Sequence, residues 1–485
     1  MGARPHPTAV RGFQPKPRER SRVRRSAPQA LTGTLDVIHP RNLTLRSGVV
    51  IGLMLTYVWR FHDLAPVLAP LRIAALFTVG SWAFLLLAPR WPALGKALSY
   101  PYVWLFLLWS VWIAIGIPFA LSPERTQDFF VSGHLKTVTM CLFLLGSLSI
   151  FPRVHVLILA HVFGAAVLTF YYAKQGFPTL WTPVPMYDRN DVALHFVAAV
   201  PLALFLAKTQ KAKIVRVGAW GLLVALAGSA IMTQSRGGFL ALGGVTVFLM
   251  FRLRGVRWGT RLLPILALLV GLVAAPPQVK ERLSTLLNVG EDYNVDDPLG
   301  RVEVWKRGIK YTQAFPIFGL GASNFSVAEQ VLAPQARFGN EILTKRSVAH
   351  NSFLEVAAET GLVGLVLFLG MLFSALFRLA RLRARYVGEE DPTGQTFRLL
   401  CDAVLASFIA FFLAGFFLSH GYYPLLISLI ALVAGLEMTA PKPALPGRGN
   451  GSRPRGGLRG QRRAVPYRSS HQWAPEAPVS FTERP

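Results

Sequence analysis

The chain has 485 residues, 52% of them hydrophobic and only 15% charged, with a mean hydropathy of +0.42. That is too apolar for a soluble protein of this size, and its apolar blocks of roughly 15–25 residues match the length needed to cross ~30 Å of hydrocarbon. Short alternating segments of the kind that build a transmembrane barrel are missing from the pattern, and two cysteines far apart, Cys141 and Cys401, exclude a disulfide framework.

The net charge of +27 is concentrated at the ends. Residues 1–46 hold ten Lys and Arg against Glu19 and Asp36, and residues 438–485 hold nine against Glu476 and Glu483. Both stretches are rich in Pro, Gly, Ser and Arg, a composition expected to stay disordered. The reading favoured for them is a pair of cytoplasmic tails drawn to anionic lipid, with no nucleic-acid partner. No apolar block directly follows RERSRVRRS, so a cleaved signal peptide is not expected.

In chain order, membrane spans are predicted near 45–62, 71–88, 101–120, 134–151, 154–173, 191–207, 214–232, 237–251, 260–275, 352–377, 399–418 and 421–437. With the N-terminus inside, the short inner loops carry sixteen Lys and Arg and the short outer loops seven. The positive-inside rule therefore favours this orientation. The expected class is an all-α polytopic membrane protein of about twelve transmembrane helices. The domain plan is a basic tail (1–44), nine spans (45–275), an outer loop domain (276–351), three spans (352–437) and a second basic tail (438–485).

The outer loop is nearly charge-balanced, with nine basic and eight acidic residues, and it has helical pattern. Val279, Leu283 and Leu286 share one face, with Gly290 as a stop signal. In LGRVEVWKRGIKYTQAF the apolar face is Val302, Trp305 and Ile309, with Arg301, Lys306, Arg307 and Lys310 around the rest. That pattern suits a helix lying at a membrane surface.

Three outer stretches carry chemistry. TQSRGG, between spans seven and eight, sets Arg236 at the mouth of a helix pair. Spacing alone leaves open a snorkelling arginine, but a guanidinium also grips phosphate bidentately, and Gly237 and Gly238 permit close approach to the backbone. Arg301 opens the basic helix and is either a lipid contact or a second phosphate clamp; Gly319 and Gly321 beyond it allow a tight turn. AHNSFLEVAAETGLVG then enters span ten. Ser352 and Glu355 have capping-box spacing, Glu355 and Glu359 share a helix face, and a charge as deep as Glu359 needs a partner, a proton or water. His350 is a polar residue near a helix start or a general base, since imidazole titrates near neutrality. Asp188, Arg189, Asn190 and Asp191 open span six, where Asp191 and His195 are spaced to pair. His420-Gly421-Tyr422-Tyr423 joins the last two spans and reads as an aromatic belt. Asp296 and Asp297 sit in a polar turn and are not expected to bind metal.

SRGG after an apolar span, GR…W…P…G.G..NF in the outer loop, HNSFLE…E.G..G opening the next span, and DRNDVALHFVAAVPLAL at 188–204 are together similar to the O-antigen ligase / O-antigen polymerase family of bacterial membrane glycosyltransferases. The likeness covers most of residues 45–437. It implies a polyprenyl-pyrophosphate-linked glycan donor, undecaprenyl pyrophosphate as leaving group, and an active site facing the periplasm from the bacterial inner membrane. The residues matching the family's important groups are Arg236 and Arg301, as pyrophosphate binders, and His350, as the group that activates the acceptor hydroxyl. Gly237, Gly238, Asn351, Glu355, Glu359, Trp305, Asp188 and Asn190 stand beside them as substrate-contacting candidates. The implied reaction is inverting and needs neither metal nor cofactor. The acceptor is a glycan, as in O-antigen or exopolysaccharide polymerisation, lipid A–core, as in lipopolysaccharide ligation, or a protein hydroxyl, and the sequence does not separate the three. A transporter or flippase of lipid-linked sugars would use the same arginines without a base, and a non-catalytic assembly scaffold would depend on the tails.

Overall fold

The computed structural model describes residues 2, 44–64, 66–87, 92–175, 188–252, 258–284, 300–333, 336–338, 341–343, 347–388 and 391–441. Both basic tails, apart from their span-proximal ends, lie outside the described residues, as do Leu286, Gly290, Asp296 and Asp297. The protein is an all-α polytopic membrane protein, with one small hairpin among the described residues.

A helix lies over each of the twelve expected spans. They are α1 (Leu45–Val58), α2 (Ile73–Leu87), α3 (Pro101–Phe119), α4 (Pro123–Ser147), α5 (Phe151–Gln175), α6 (Arg189–Thr209), α7 (Lys213–Met232), α8 (Arg236–Arg252) and α9 (Trp258–Ala274). After α10 (Pro277–Ser284), α11 (Arg301–Ala314) and α12 (Phe325–Val331) come α13 (Ser352–Ala384), α14 (Pro392–Gly415) and α15 (Pro424–Thr439). Seven of them, α3 to α7 with α13 and α14, are long and apolar enough to cross a membrane by length and composition. Their starts are written in the sequence. Thr44, Asp188, Asn351 and Asp391 cap α1, α6, α13 and α14 with side-chain oxygens. Pro101, Pro392 and Pro424 occupy first helical positions, where no N–H is needed.

Three span boundaries differ from expectation. The fourth helix begins at Pro123 and passes through a π-turn at Phe129–His134. The tenth continues to Ala384, and the eleventh begins at Pro392. Leu, Ala and Arg are all good helix formers, so α13 does not stop where the hydrocarbon stops. The loop domain is not wholly helical: β1 (Ala336–Phe338) pairs antiparallel with β2 (Glu341–Leu343), with Phe338 opposite Glu341. The intervening Gly339-Asn340 is a hairpin-turn pair in sequence.

Helix α6 is the centre of the bundle, with 89% of its apolar window buried. It packs on α5, α7, α8 and α14, and Ser407 Oγ of α14 donates to its Ala198 carbonyl at 2.8 Å. Exposed Trp104, Val224, Val366, Phe373 and Phe377 face outward, as lipid-facing positions should. One end of the bundle is tied by ion pairs. Arg383 meets Asp402 at 2.7 Å, with Arg252 4.0 Å from the same carboxylate. Arg378 meets Glu437 at 2.8 Å, and Tyr102 donates to Glu437 at 3.0 Å. Each buried charge thus has a partner, as burial requires. The starts of α6, α8 and α13 lie at the opposite end.

Candidate functional site

The first turn of α13 is fastened to the connection between α14 and α15. Asn351 caps the helix by accepting the N–H groups of Phe353 and Leu354 at 3.0 and 3.1 Å. Ser352 does not act as cap: its hydroxyl donates to the Leu418 carbonyl at 2.8 Å and accepts the His420 N–H at 3.0 Å. Glu355 likewise does not complete a capping box, because its Oε2 accepts the Gly421 N–H at 3.0 Å. The expected Ser352–Glu355 box gives way because the same two side chains find tertiary backbone partners. His350 precedes the cap with a φ of +48°, the left-handed region unusual for a residue with a Cβ. Its N–H donates to Ser419 Oγ at 2.9 Å.

Glu359 finds its partners in the outer loop. Its carboxylate accepts the N–H groups of Ser323 and Phe325 at 2.8 and 2.9 Å, charge-assisted bonds that offset desolvation. Just beyond it the helix is broken at Gly361, with φ +69°. The loop before α12 runs along the break: Leu320 and Gly321 donate to the carbonyls of Ala358 and Glu359 at 2.8 and 2.9 Å, and Leu362 donates to the Pro316 carbonyl at 2.8 Å. Trp112 Nε1 of α3 takes the Thr360 carbonyl at 3.0 Å. Backbone freed inside a span must find such partners. Gly319 and Gly321 make the tight turn with φ of +71° and +88°.

Helix α11 docks beside this unit, but with a different face from the one expected. Val304, Gly308 and Tyr311 are buried, while Ile309 is half exposed. Gly308 packs on Leu354 of α13 and Phe325 of α12, so protein contacts choose the face. Arg307 pairs with buried Glu329 at 2.6 Å, and Tyr311 donates to the same carboxylate at 2.9 Å. The bond to Glu329 holds the Arg307 guanidinium above its ordinary range, and burial pushes the Tyr311 phenol up. On the same helix Trp305 Nε1 donates to the Ala349 carbonyl at 3.0 Å. Arg301 is the first residue of α11, about one turn before that tryptophan.

The start of α6 meets the α14–α15 connection from another side. Asp188 caps α6 in a reciprocal box with Asp191, accepting the N–H groups of Asn190 and Asp191 at 2.7 and 2.9 Å. The Asp191 carboxylate does not pair with His195, whose Nδ1 bonds the Asp191 carbonyl at 2.8 Å instead. A buried His420 takes it, Nε2 to Oδ1 at 2.6 Å. Spacing of four residues set Asp191 and His195 on one face, but an i,i+4 histidine also reaches the backbone.

Arg236 is the first residue of α8. Ser235 Oγ accepts the Gly238 N–H at 3.0 Å, and Gln234 turns the chain with φ +55°. A Cβ on Gly237 would meet Phe417 at 3.1 Å, and one on Gly238 would meet Ala193 of α6 at 2.4 Å. The close approach these glycines permit is to neighbouring protein.

The connection 417–421 thus touches the starts of three helices: Phe417 meets α8, Ser419 and Gly421 hold His350 and Glu355 at α13, and His420 holds α6. Trp305, about one turn after Arg301, ties α11 to Ala349, the residue before His350. Tyr422 follows, its phenol pushed up by burial and then by the Glu359 and Glu355 carboxylates. Sequence reading named Asp191 and His420 without pairing them and did not single out Ser419; 229 positions separate the paired two, and no periodicity spans that. Among the described residues no group of three His, Cys, Asp or Glu side chains is arranged to hold a metal ion.

Residues 221–369 match the family model for O-antigen ligase. That stretch contains Arg236, Gly237, Gly238, Arg301, Trp305, His350, Asn351, Glu355 and Glu359; Asp188, Asn190 and His420 fall outside it. The chain is also 25% identical, over 351 residues, to the exopolysaccharide production protein ExoQ of Rhizobium meliloti (strain 1021), covering 66% of this chain and 74% of that protein.

Proposed function

Starting from a membrane protein whose residues 221–369 match the O-antigen ligase family model, we propose that it is a glycosyltransferase of polysaccharide assembly. It takes a glycan from a polyprenyl-pyrophosphate carrier and joins it to an acceptor hydroxyl. The site faces the periplasm from the inner membrane, and the bundle end rich in arginine ion pairs faces the cytoplasm, as the positive-inside rule favours.

In this reading the acceptor oxygen attacks the anomeric carbon of the donor as the carbon–oxygen bond to pyrophosphate breaks. The electron pair leaves with the pyrophosphate, and inversion follows from attack opposite the leaving group. Arg236 and Arg301 stabilise the charge that develops on the leaving group, the usual use of fixed cations at a transition state, so the proposed reaction needs no metal. His350 takes the hydroxyl proton. Trp305, Asn351, Gly237 and Gly238 shape the surroundings, and Asp188 and Asn190 form a sugar-contacting edge. Glu355 and Glu359 serve the substrate indirectly, by holding the two loops that border it.

The observation that supports this best is the shared anchorage of the three segments. The starts of α8 and α13 both rest on 417–421, and α11 is bonded to Ala349, beside His350. The test uses protein purified in detergent and the lipid-linked glycan that accumulates in cells lacking it. Release of polyprenyl pyrophosphate with glycan extension is expected of the wild type and not of His350→Ala or Arg236→Ala. Movement of the lipid without pyrophosphate release would make the protein a flippase instead.

A further inference from the structure

His350 is held in a backbone conformation that its own side chain disfavours. With φ +48° it sits in the left-handed region, one residue before the cap of α13. Such a conformation persists only where the surroundings impose it. Its N–H donates to Ser419 Oγ at 2.9 Å. What fixes Ser419 is its neighbour. His420 is 4% exposed, its N–H bonded to Ser352 Oγ at 3.0 Å and its Nε2 bonded to Asp191 Oδ1 at 2.6 Å. Asp191 is fixed in turn, since its other oxygen accepts the Asp188 N–H at 3.1 Å within the capping box of α6. Polar contacts on either side of the Ser419–His420 peptide link therefore connect the start of α6, through Asp191, to the backbone of His350.

We infer that Asp191 and His420 are positioning residues that set the aim of the His350 imidazole by locking Ser419 against its backbone. This rests on the reading of His350 as the base. Neither residue need touch substrate. An imidazole bonded to a carboxylate is held in one orientation, and small losses of aim at a base lower turnover far more than binding. The carboxylate itself matters less than an acceptor oxygen at that place. Asp191→Asn can still accept from Nε2–H, and Asp191→Ala cannot.

The experiment measures kcat and the KM for the purified lipid-linked glycan, per mole of monodisperse protein, in Asp191→Ala, Asp191→Asn, Ser419→Ala, the Asp191→Ala/Ser419→Ala double variant and His350→Ala. Asp191→Ala and Ser419→Ala are each expected to lower kcat about 30–100-fold with KM within threefold of wild type. Asp191→Asn should recover to within about tenfold. The double variant should fall little further than either single one, because both break the same chain. Should Asp191→Ala not yield folded protein, Ser419→Ala and Asp191→Asn carry the test, since each retains the packing of its site. Near-wild-type kcat in Ser419→Ala with an inactive His350→Ala overturns this inference and leaves the function standing. Losses that multiply in the double variant also overturn it. An active His350→Ala instead removes the proposed base.

Discussion

The indole N–H of Trp305 is bonded to the carbonyl of Ala349 at 3.0 Å, joining α11 to the residue just before His350. This contact ties a helix of the outer loop to the start of a membrane span. Trp305→Phe keeps most of the ring and removes the donor, leaving a carbonyl without that partner. The stability cost is expected to be about 1 kcal/mol, which lowers the thermal midpoint by a few degrees at most. Turnover should fall about tenfold if Arg301 and His350 act on one substrate. An unchanged rate of pyrophosphate release would separate α11 from the chemistry.

Glu359 sits about two turns into α13, and its carboxylate accepts two backbone N–H groups of the outer loop. Removing it in Glu359→Ala strands both donors in a buried place, at about 1–3 kcal/mol for each. Glu359→Gln keeps one acceptor oxygen and should cost about half as much. Thermal unfolding in detergent measures both. Equal midpoints for the two variants would mean that the acceptor oxygen kept by glutamine contributes nothing at this position.

The helices and their order were legible because hydrocarbon demands long apolar runs, and caps such as Thr44, Asp188 and Asn351 are local signals. TQSRGG and HNSFLE stood out because charge at a span mouth is costly and therefore conspicuous. Other features rest on long-range contacts. The Asp191–His420 pair links residues 229 apart, and Ser419 was hidden because an ordinary serine between two spans has no pattern. The face of α11 was misjudged for the same reason: Leu354 and Phe325, which pack on Gly308, lie in other helices. Ser352 and Glu355 had correct cap spacing, but tertiary backbone groups outcompeted the local box.

Gly361 interrupts α13 in a conformation that disfavours any side chain. Its φ is +69°, and an added Cβ would lie 2.1 Å from the Ile317 carbonyl oxygen. Gly361→Ala is therefore strained twice, once in its own backbone and once against the loop that satisfies the broken helix. The expectation is loss of most folded protein, read as recovery of monodisperse material after purification. Gly370→Ala is the control on the same helix, since its nearest neighbour is a flexible Leu105 side chain at 3.4 Å. Equal recovery of the two variants would show that the break at Gly361 is not needed.

Arg307 and Glu329 form the buried ion pair of the outer loop, with oxygen to nitrogen at 2.6 Å and side-chain exposures of 16% and 2%. Breaking one partner of such a pair leaves a charge without its counterion, which costs about 3–5 kcal/mol. Glu329→Ala should fall near the lower end, because Arg307 keeps some access to water, and Tyr311 loses its acceptor as well. Replacing both members by apolar groups, Arg307→Met with Glu329→Leu, should cost less than Glu329→Ala alone, since no unpaired charge remains. Thermal midpoints of the two variants decide it. A double variant less stable than Glu329→Ala would mean that the pair is valued for its bond to Tyr311 rather than for mutual neutralisation.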